Sequence, residues 1–293
     1  MTESESINTV KPAPEWRPDY SASPMGPYSF SIRGTDTDDH DRLHLFALFA
    51  CMQEAAYHNA KALQAGSDDF DARGLCWLLI KISVQMEHLP HWGEILTIDT
   101  WQQGVQKLVF IRNFLFYDQT GRKLGEATSE WLIASQDTHR PQRPDHVWPE
   151  GLYPAPDRQA LSFNCPKLLK LDQPDLAPIL VKYADFSDID RNHHVNNTRY
   201  VAWCLDAIYA AALQKAQNDD SRETPGEESG GYGRAGLVIR QFDIHYINEV
   251  RVGTKLYLYG MPDDREKNCW QVEARRAADD VRIFRAQVRI DPE

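Results

Sequence analysis

The sequence predicts an α+β fold made of two similar halves, each with one long helix and a curved antiparallel sheet wrapped around it. Two observations lead to this prediction. Each half runs through the same order of short strand, acidic turn, helix and several strands, judged from the spacing of its apolar residues and from its turn signals. The halves also align weakly with each other, which indicates a duplication.

The helix is the clearest element of the first half, and it is predicted over about residues 43–64. Its apolar residues recur every three or four positions, as one buried helical face requires: Leu45, Leu48, Phe49, Met52, Ala56 and Leu63. Alternating or apolar runs bounded by turn residues predict strands near 28–33, 76–87, 95–102, 108–117 and 123–135.

The second half repeats this order around a helix predicted over about residues 198–215. Its strands are predicted near 179–183, 236–246, 254–260, 269–277 and 281–290. A shift of 152 residues equates Asp38 with Asp190 before the helices, and a shift of 160 equates Val84 with Ile244 in the strands. One helix wrapped by a sheet is the hotdog arrangement, and two copies joined edge to edge would protect strands that otherwise invite aggregation.

The domain organisation follows from these elements. We expect a flexible lead-in over residues 1–26, a first hotdog domain over 27–140, a proline-rich linker over 141–175 and a second hotdog domain over 176–293. A polar insert over 216–232 is predicted to be disordered. The polar start has no signal-peptide pattern, and no apolar run approaches the roughly 18 residues of a membrane span. We therefore expect a cytoplasmic protein without a membrane anchor.

Charge and cysteine usage exclude several classes of protein. The formal net charge of −11 argues against nucleic-acid binding, which needs a basic surface. The five cysteines are odd in number, scattered and without a CxxC pair, so we expect reduced thiols and neither a disulfide framework nor a zinc site. The sequence predicts no cofactor and no metal.

The most specific motif precedes the second helix, in the segment DIDRNHHVNNTRYVAWCLDA. It holds Asp190, Asn192 and His194, followed by Val-Asn-Asn and, inside the helix, a Tyr and a Trp. This run resembles the acyl-ACP thioesterases of plants and bacteria, which carry Asp-x-Asn-x-His-Val-Asn-Asn at this place. The first-half stretches PHWGEILTIDTW, QEAA and ATSEW are also similar to that family, so the likeness covers about residue 27 to the end without the insert.

The resemblance also implies a catalytic glutamate after the first long strand of the second half. Glu249 occupies that position, but Val250 stands where the family usually has a cysteine. A Cys–His–Asn mechanism therefore cannot use this position, because valine has no thiol. In the family the first half supplies the acyl-chain pocket, and the resemblance implies the same here.

Thioester hydrolysis needs an activated water, stabilisation of the oxyanion and a path for the leaving thiolate. Glu249 and Asp190 are the candidate bases, and Glu249 is preferred. Asn192 could hold the water or the carbonyl, and His194 could orient a carboxylate or donate to the oxyanion. Free backbone N–H groups near residues 195–196 are predicted to form the oxyanion hole.

A structural role is the alternative for these residues, since asparagine and aspartate before a helix commonly form turns and caps, and Asn196 is a plausible N-cap. The combination with His194 favours catalysis. The first half serves as an internal comparison, because it keeps Asp38 but has lost the other three groups. The positions equivalent to Asn192, His194 and Glu249 hold His40, Arg42 and Leu89.

The resemblance implies fatty acyl-ACP as substrate, acyl carrier protein as partner and fatty acid biosynthesis as the setting. An acyl-CoA thioesterase would use the same chemistry on another carrier. A hotdog dehydratase or hydratase is disfavoured by the motif, and a non-catalytic acyl-binding module is disfavoured by the complete set Asp190, Asn192, His194 and Glu249. A duplicated chain already contains two hotdogs, so a monomer and a homodimer both remain open.

Overall fold

The structure is a computed structural model of the chain, and it describes residues 26–148, 161, 163–173, 175–217 and 238–291, with residues 215–217 described by their backbone alone. The strands of the first half are β1 (Tyr28–Ser31), β2 (Leu75–Met86), β3 (Ile95–Gln106), β4 (Val109–Tyr117) and β5 (Lys123–Ser135). Those of the second half are β6 (Leu180–Tyr183), β7 (Val238–Tyr246), β8 (Lys255–Pro262), β9 (Cys269–Arg276) and β10 (Arg282–Asp291). The α-helices are α1 (Leu45–Ala62), α2 (Ser67–Asp71), α3 (Pro144–Val147) and α4 (Asn197–Gln217).

All these strands form one sheet in the order β1-β3-β4-β5-β2-β7-β10-β9-β8-β6, and every pairing is antiparallel. Counted from the outer edge to the centre, the first half runs β1-β3-β4-β5-β2 and the second half runs β6-β8-β9-β10-β7, so equivalent strands occupy equivalent places. The long helices α1 and α4 contact each other on one face of the sheet, and their apolar sides share one core with both halves. The predicted tandem hotdog fold is thereby confirmed.

The pairing of β2 with β7 joins the two halves. Ser83 lies opposite Asp243, and these are positions that the 160-residue shift equates. The pseudo-twofold axis of the duplication therefore passes between them. The hydroxyl of Ser83 donates a hydrogen bond to Oδ1 of Asp243, and Gln241 donates to Oδ2 at 2.8 Å.

The acidic turns before the two helices share one backbone design. The N–H of Asp38 donates to the carbonyl of Arg42 at 2.8 Å, and the N–H of Asp190 donates to that of His194 at 2.9 Å. The residues at the tightest point, Asp41 and His193, both have left-handed backbones, with φ of 59° and 63°. The 152-residue shift equates every member of this set, so the alignment predicted from sequence corresponds to a real structural repeat.

Element boundaries agree with the predictions to within a few residues, apart from β3. The strand predicted near 95–102 is longer in the structure, where β3 continues to Gln106 across a bulge between Gln102 and Gly104. A glycine inside a strand often marks such a bulge. The chain reverses instead at Lys107, which has a left-handed φ of 59°.

The predicted lead-in over residues 1–26 lies outside the described residues except for its last position. The same is true of the insert predicted over 216–232, except that α4 runs two residues into it, to Gln217. Alanine and glutamine are good helix formers, which explains why the helix extends there. In the described part of the chain, no helix combines the length and the apolar character that a bilayer crossing requires.

The predicted linker is a packed strap wherever it is described after α3. Its residues 163–173 cross the face of the sheet that points away from the helices. His245 Nε2 lies 2.7 Å from the carbonyl oxygen of Pro166, and Arg275 donates to the carbonyl of Leu171 at 2.5 Å. Cys165 contacts the carbonyl of Thr128 at 3.6 Å through its sulfur. This strap covers the central strands, which is why the polar pair on the pseudo-twofold axis is buried.

Burial of Asp243 predicts a stability that depends on pH. Desolvation raises the pKa of this carboxyl to about 6, although hydrogen bonds from Ser83 and Gln241 oppose the shift. The folded protein therefore holds this proton more tightly than the unfolded chain, whose aspartates titrate near 3.9. Between these two pKa values the free energy of unfolding falls as the pH rises. Above about pH 6 the whole cost of burying the ionised carboxylate is present.

We expect Asp243→Asn to remove this penalty, because the amide carries no charge, accepts the hydrogen bond from Ser83 through its oxygen, and can donate to Gln241 once the side-chain amide of Gln241 turns over. The variant should gain about 2 to 3 kcal/mol over the parent at pH 7 and almost nothing at pH 4. Urea unfolding of both proteins between pH 4 and 7.5 measures the difference. A difference that does not change with pH would contradict the raised pKa.

Candidate active site

A backbone hydrogen bond joins the turn before α4 to the loop after β7, and a second one closes the turn itself. The N–H of Val195 donates to the carbonyl of Val250 at 2.8 Å, and the N–H of Asn196 donates to the carbonyl of Asp188 at 2.9 Å. Val195 and Val250 are buried. This link places the residue before Val250, Glu249, next to the turn that carries His194.

His194 lies between two carboxylates. Its Nδ1 is 3.7 Å from Oδ1 of Asp190, and its Nε2 is 4.0 Å from Oε1 of Glu249. The side chain of Asp190 is 15% exposed and that of Glu249 is 39% exposed, so Glu249 is the more open of the two. The structure thus brings together three of the four predicted site residues, with the imidazole as the central group.

Asn192 occupies the exposed side of the same turn. Its N–H donates to Oδ1 of Asp190 at 2.8 Å, which fixes the carboxylate as the acceptor of an Asx turn. Its side chain is exposed. Asn192 therefore contacts the site through its backbone N–H, while its side-chain amide is exposed.

A residue of the first half also reaches the site. Nδ1 of His139 lies 3.8 Å from Oε1 of Glu249, so that carboxylate is flanked by two imidazoles. His139 follows β5 and has a left-handed backbone, with φ of 52°. This contact could not be predicted from the sequence, because it depends on how the two halves pair and no motif surrounds His139.

The predicted oxyanion hole is not formed by residues 195–196. Both of their N–H groups donate to carbonyl oxygens of the protein, and Asn196 acts as the helix cap. Its Oδ1 accepts hydrogen bonds from the N–H and the hydroxyl of Thr198, at 2.9 and 2.8 Å. The capping alternative is therefore the correct one for Asn196. The prediction failed because it counted donors at the helix start without locating their acceptors.

Asn197 is the first residue of α4, and its N–H belongs to the first-turn donors that an α-helix leaves without a partner of its own. Asn197 and Thr198 line a small cavity of about 20 Å³ between α1, β2, β4 and β5. The other lining residues come from the first half: Phe49, Met52, Gln53, Ala56, Leu79, Ile82, Phe114, Ser129 and Trp131. The cavity thus connects the start of the second helix with an apolar part of the first half.

Glu249 also borders a larger, open cleft of about 550 Å³. Its lining is mixed in character and comes from both halves: Leu78, His139, Ile247, Asn248, Glu249, Arg251, Thr254 and Arg276. The candidate base therefore stands where solvent can reach it.

The first half has kept the turn but not the site. Arg42 occupies the position equivalent to His194, and its Nε binds Oδ2 of Asp38 at 3.1 Å. Hydrogen bonds from the N–H groups of His40 and Arg42, together with the charge of Arg42, outweigh desolvation and lower the pKa of Asp38. A carboxylate held in this way is a poor base.

Among the described residues, no cluster of three or more His, Cys, Asp or Glu side chains could hold a metal ion. All five cysteines are free. Cys204 is buried in α4, and desolvation raises the pKa of its thiol. Burial raises the pKa of the Cys76 thiol, and the negative charge of Glu249 raises this pKa further. Neither thiol is activated as a nucleophile.

The fold and these contacts define a tandem hotdog protein with a carboxylate–histidine–carboxylate site in its second half. Residues 27–149 match the family model of the acyl-ACP thioesterase N-terminal domain, and residues 171–220 match that of the acyl-ACP thioesterase C-terminal domain. The two matches together cover more than half of the chain. The chain belongs to the acyl-ACP thioesterase family.

Similar proteins include chloroplast enzymes of plants. Oleoyl-acyl carrier protein thioesterase 2 of Arabidopsis thaliana is 30% identical over 193 residues, which cover 61% of this chain and 53% of the relative. Palmitoyl-acyl carrier protein thioesterase of Gossypium hirsutum is 27% identical over 197 residues, covering 64% and 48%. The chain spans about half the length of these relatives.

Two solved structures share the fold over almost the whole chain. An acyl-ACP thioesterase from Bacteroides thetaiotaomicron has a TM-score of 0.71 at 22% identity and covers 91% of this chain and 97% of its own. The 12:0-ACP thioesterase from Umbellularia californica has a TM-score of 0.72 at 20% identity and covers 93% and 99%. At these identities the likeness establishes the fold.

The raised pKa of Cys76 leads to a prediction about the nucleophile. We expect Cys76→Ala to hydrolyse an acyl thioester as fast as the parent, because a protonated thiol contributes nothing to the attack. Steady-state rates of the two proteins and intact-mass spectra during turnover provide the measurement. A large loss of rate, or an acyl adduct on the parent that the variant lacks, would show that the thiol takes part.

Proposed function

We propose that this protein hydrolyses fatty acyl-ACP thioesters to free fatty acid and acyl carrier protein. The observation that carries the proposal is the position of His194 between Asp190 and Glu249, at the start of α4 and beside an open cleft. The family membership supports the same reaction, and the plant relatives are named as acyl carrier protein thioesterases.

Glu249 is the proposed general base. It is more exposed than Asp190 and borders the cleft, so a water can reach it. The carboxylate removes a proton from this water while the water oxygen bonds to the thioester carbonyl carbon. The C–S bond then breaks, the acyl group leaves as a carboxylic acid, and the carrier thiolate takes the proton back from Glu249.

Asp190 and His194 are proposed to position this base. Asp190 is the less exposed carboxylate, and the turn fixes it through the N–H of Asn192. It can hold the Nδ1–H of the imidazole, so that the other ring nitrogen faces Glu249. The amide of Asn192 is proposed to hold the carbonyl or the water once substrate covers the turn.

The N–H of Asn197 is the proposed oxyanion donor in place of those of residues 195–196. It lies at the start of a 21-residue helix, where the helix dipole favours negative charge. Asn197 also lines the cavity that extends into the first half, so one residue would adjoin both the carbonyl and the acyl chain.

The first half is proposed to hold the acyl chain, in the cavity between α1 and strands β2, β4 and β5. Seven of the side chains that line it are apolar: Phe49, Met52, Ala56, Leu79, Ile82, Phe114 and Trp131. At about 20 Å³ the cavity is too small for a fatty acyl chain as it stands, so the side chains must move apart when the chain enters. Methionine suits such a wall, because its unbranched side chain adapts its shape.

An acyl-CoA thioesterase remains the second candidate, because both carriers present the acyl group as the same kind of thioester. A non-catalytic acyl-binding module would use the cavity without the reaction. We further propose that the protein works in the cytoplasm as a monomer or homodimer within fatty acid biosynthesis. The five free cysteines support a reducing compartment.

Substitution of the two carboxylates tests the reaction and the proposed roles. Glu249→Gln should lower kcat for an acyl-ACP by about 10²-fold or more, because the amide cannot accept the proton of the water. Asp190→Asn should lower kcat less, because it changes only the orientation of His194. Thiol release from a panel of acyl-ACP and acyl-CoA substrates, with folding checked by circular dichroism, measures both.

The duplication offers a matched control in Asp38→Asn, which changes the equivalent carboxylate of the first half. This variant should keep the parent rate. If Asp190→Asn is the more damaging of the two site variants, the roles of the two carboxylates must be exchanged. If the parent cleaves neither kind of thioester but binds fatty acids, the binding-module alternative replaces the enzyme.

The cavity predicts a change in chain-length preference. Met52→Ala removes a side chain from its wall, so the ratio of kcat/KM values should shift towards longer acyl chains. Met86→Ala is the matched control, because Met86 is also buried in the same core but does not line the cavity. Each variant should lose about 2 to 5 kcal/mol of stability, so the assays are run well below the unfolding temperature. The same shift in both variants would exclude this cavity as the acyl site.

A further inference from the structure

Two imidazoles lie beside Glu249 in the described part of the chain, and they belong to different turns. Nε2 of His194 is 4.0 Å from Oε1 of Glu249, and Nδ1 of His139 is 3.8 Å from the same oxygen. The side chain of His139 is 54% exposed, against 24% for that of His194. His139 also lines the open cleft, which His194 does not. His139 is therefore the imidazole that solvent reaches beside the proposed base.

The sheet topology brings His139 to Glu249. β5 and β7 pair with β2 on its two sides, and both pairings are antiparallel. The C-terminal ends of β5 and β7 therefore lie together at the N-terminal end of β2. His139 follows β5 after a short turn, Glu249 follows β7 after a short loop, and Leu78 of β2 lines the cleft with both of them. The contact is thus a consequence of the way the two halves pair.

The turn that carries His139 is closed by backbone hydrogen bonds. The N–H of His139 donates to the carbonyl of Ser135 at 2.9 Å, and the N–H of Ser135 donates to the carbonyl of Arg140 at 3.1 Å. The N–H of Gln136 ties the same turn to the carbonyl of Gly74, before β2, at 2.9 Å. His139 itself has a left-handed φ of 52°, a conformation that histidine adopts more often than most residues. The backbone therefore fixes the place from which the imidazole reaches Glu249.

A carboxylate alone is a weak acceptor for a proton of water, because the ordinary pKa of a glutamate is about 4.3. Its efficiency as a base rises if a stronger base takes the proton next. A neutral imidazole is such a base, since its ordinary pKa is about 6.5. The resulting imidazolium is stabilised by water when it lies in an open cleft. His139 meets both conditions, because it contacts the carboxylate and is exposed to solvent.

We propose that His139 is the second proton carrier of the reaction. The inference rests on the proposed function, because it takes Glu249 as the base. As the water oxygen bonds to the thioester carbon, the proton moves from water to Oε1 of Glu249 and from there to Nδ1 of His139, which begins neutral with its own proton on Nε2. When the C–S bond breaks, the sulfur keeps the electron pair and takes the proton from the imidazolium. Both side chains then regain their starting states, and the 3.8 Å gap between them closes by a small movement or by a bridging water.

The charged groups around His139 determine what a pH profile can report. Besides Glu249, the titratable and charged residues of its surroundings are Asp137 and Arg140 in its own turn, Asp71 in α2, Cys76 in β2, Arg191 and His194 in the turn before α4, Arg251 in the loop after β7 and Arg276 in β9. All of them remain when His139 alone is replaced. A difference between the pH profiles of the parent and the variant therefore reports this imidazole.

Replacement by glycine is the test, because glycine adopts a φ of 52° without strain. His139→Gly should lower kcat for an acyl-N-acetylcysteamine thioester about 10- to 100-fold. The parent rate should fall as the pH drops through the imidazole range, since a protonated ring cannot accept a proton, and the variant should lack this fall. Added imidazoles can enter a cleft of about 550 Å³, and they should restore the rate more fully the more basic they are. They should not restore Glu249→Gln, because the transfer begins at that carboxylate.

His146→Ala is the control for loss of an exposed imidazole, with alanine because the residue lies in α3. Nε2 of His146 also lies 3.8 Å from a carboxylate oxygen, Oδ2 of Asp145, and its side chain is exposed, but it does not line the cleft. This variant should keep the rate and the pH profile of the parent, and added imidazole should not change its rate.

Three outcomes would overturn the proposal while the proposed function stands. An unchanged rate in His139→Gly would show that this ring carries no proton. A loss that imidazoles do not restore, or restore equally whatever their basicity, would show that His139 only holds Glu249 in place. Restoration of Glu249→Gln by imidazole would show that the ring acts on the water directly. A parent that cleaves no thioester would instead refute the proposed function, and the proton transfer with it.

Discussion

The pairing of β2 with β7 is the constraint on which the rest of the structure depends. Without it, each half would end in a central strand with unpaired backbone groups, and such an edge attracts other chains. The pairing satisfies those groups and makes one sheet of ten strands in the described part of the chain. It also brings α1 against α4, and it lets His139 of one half reach Glu249 of the other. The proposed acyl cavity and the site adjoin each other only because the halves meet in this register.

The repeat shows how one backbone can support two different roles. The turns before α1 and α4 have the same hydrogen bonds and the same left-handed residue, yet their side chains have diverged. In the first half Arg42 neutralises Asp38 in an ion pair, which is a stable arrangement with no reactive group. In the second half His194 stands between two carboxylates, neither within hydrogen-bond distance, and its Nδ1 lies 3.4 Å from the carbonyl oxygen of Val195. Distances of this kind are common in sites without substrate and shorten on binding.

The sequence predicted the elements whose signals are local. The helices α1 and α4 are long and have one apolar face, so their spacing defined them to within two residues at each end, and the motif around Asp190 and His194 identified the turn. Features that depend on distant contacts could not be predicted. The strap over residues 163–173 was predicted only as part of a linker, because its packing partners lie on strands far away in sequence. The oxyanion hole was misplaced for the same reason, since the acceptor for Val195 is the carbonyl of Val250.

Charge poses the remaining physical problem, because the protein is acidic and acyl carrier protein, its proposed partner, is acidic as well. Long-range attraction cannot bring the two together, since the Debye length at physiological salt is about 8 Å and the net charges repel. Recognition must then depend on short-range contacts with a group that every substrate carries. Selection between carriers would then be made by surfaces outside the cleft, and selection between chain lengths by the cavity of the first half. In the proposed function the reacting carbonyl would lie between these two determinants, so each of them could change in evolution without disturbing Glu249.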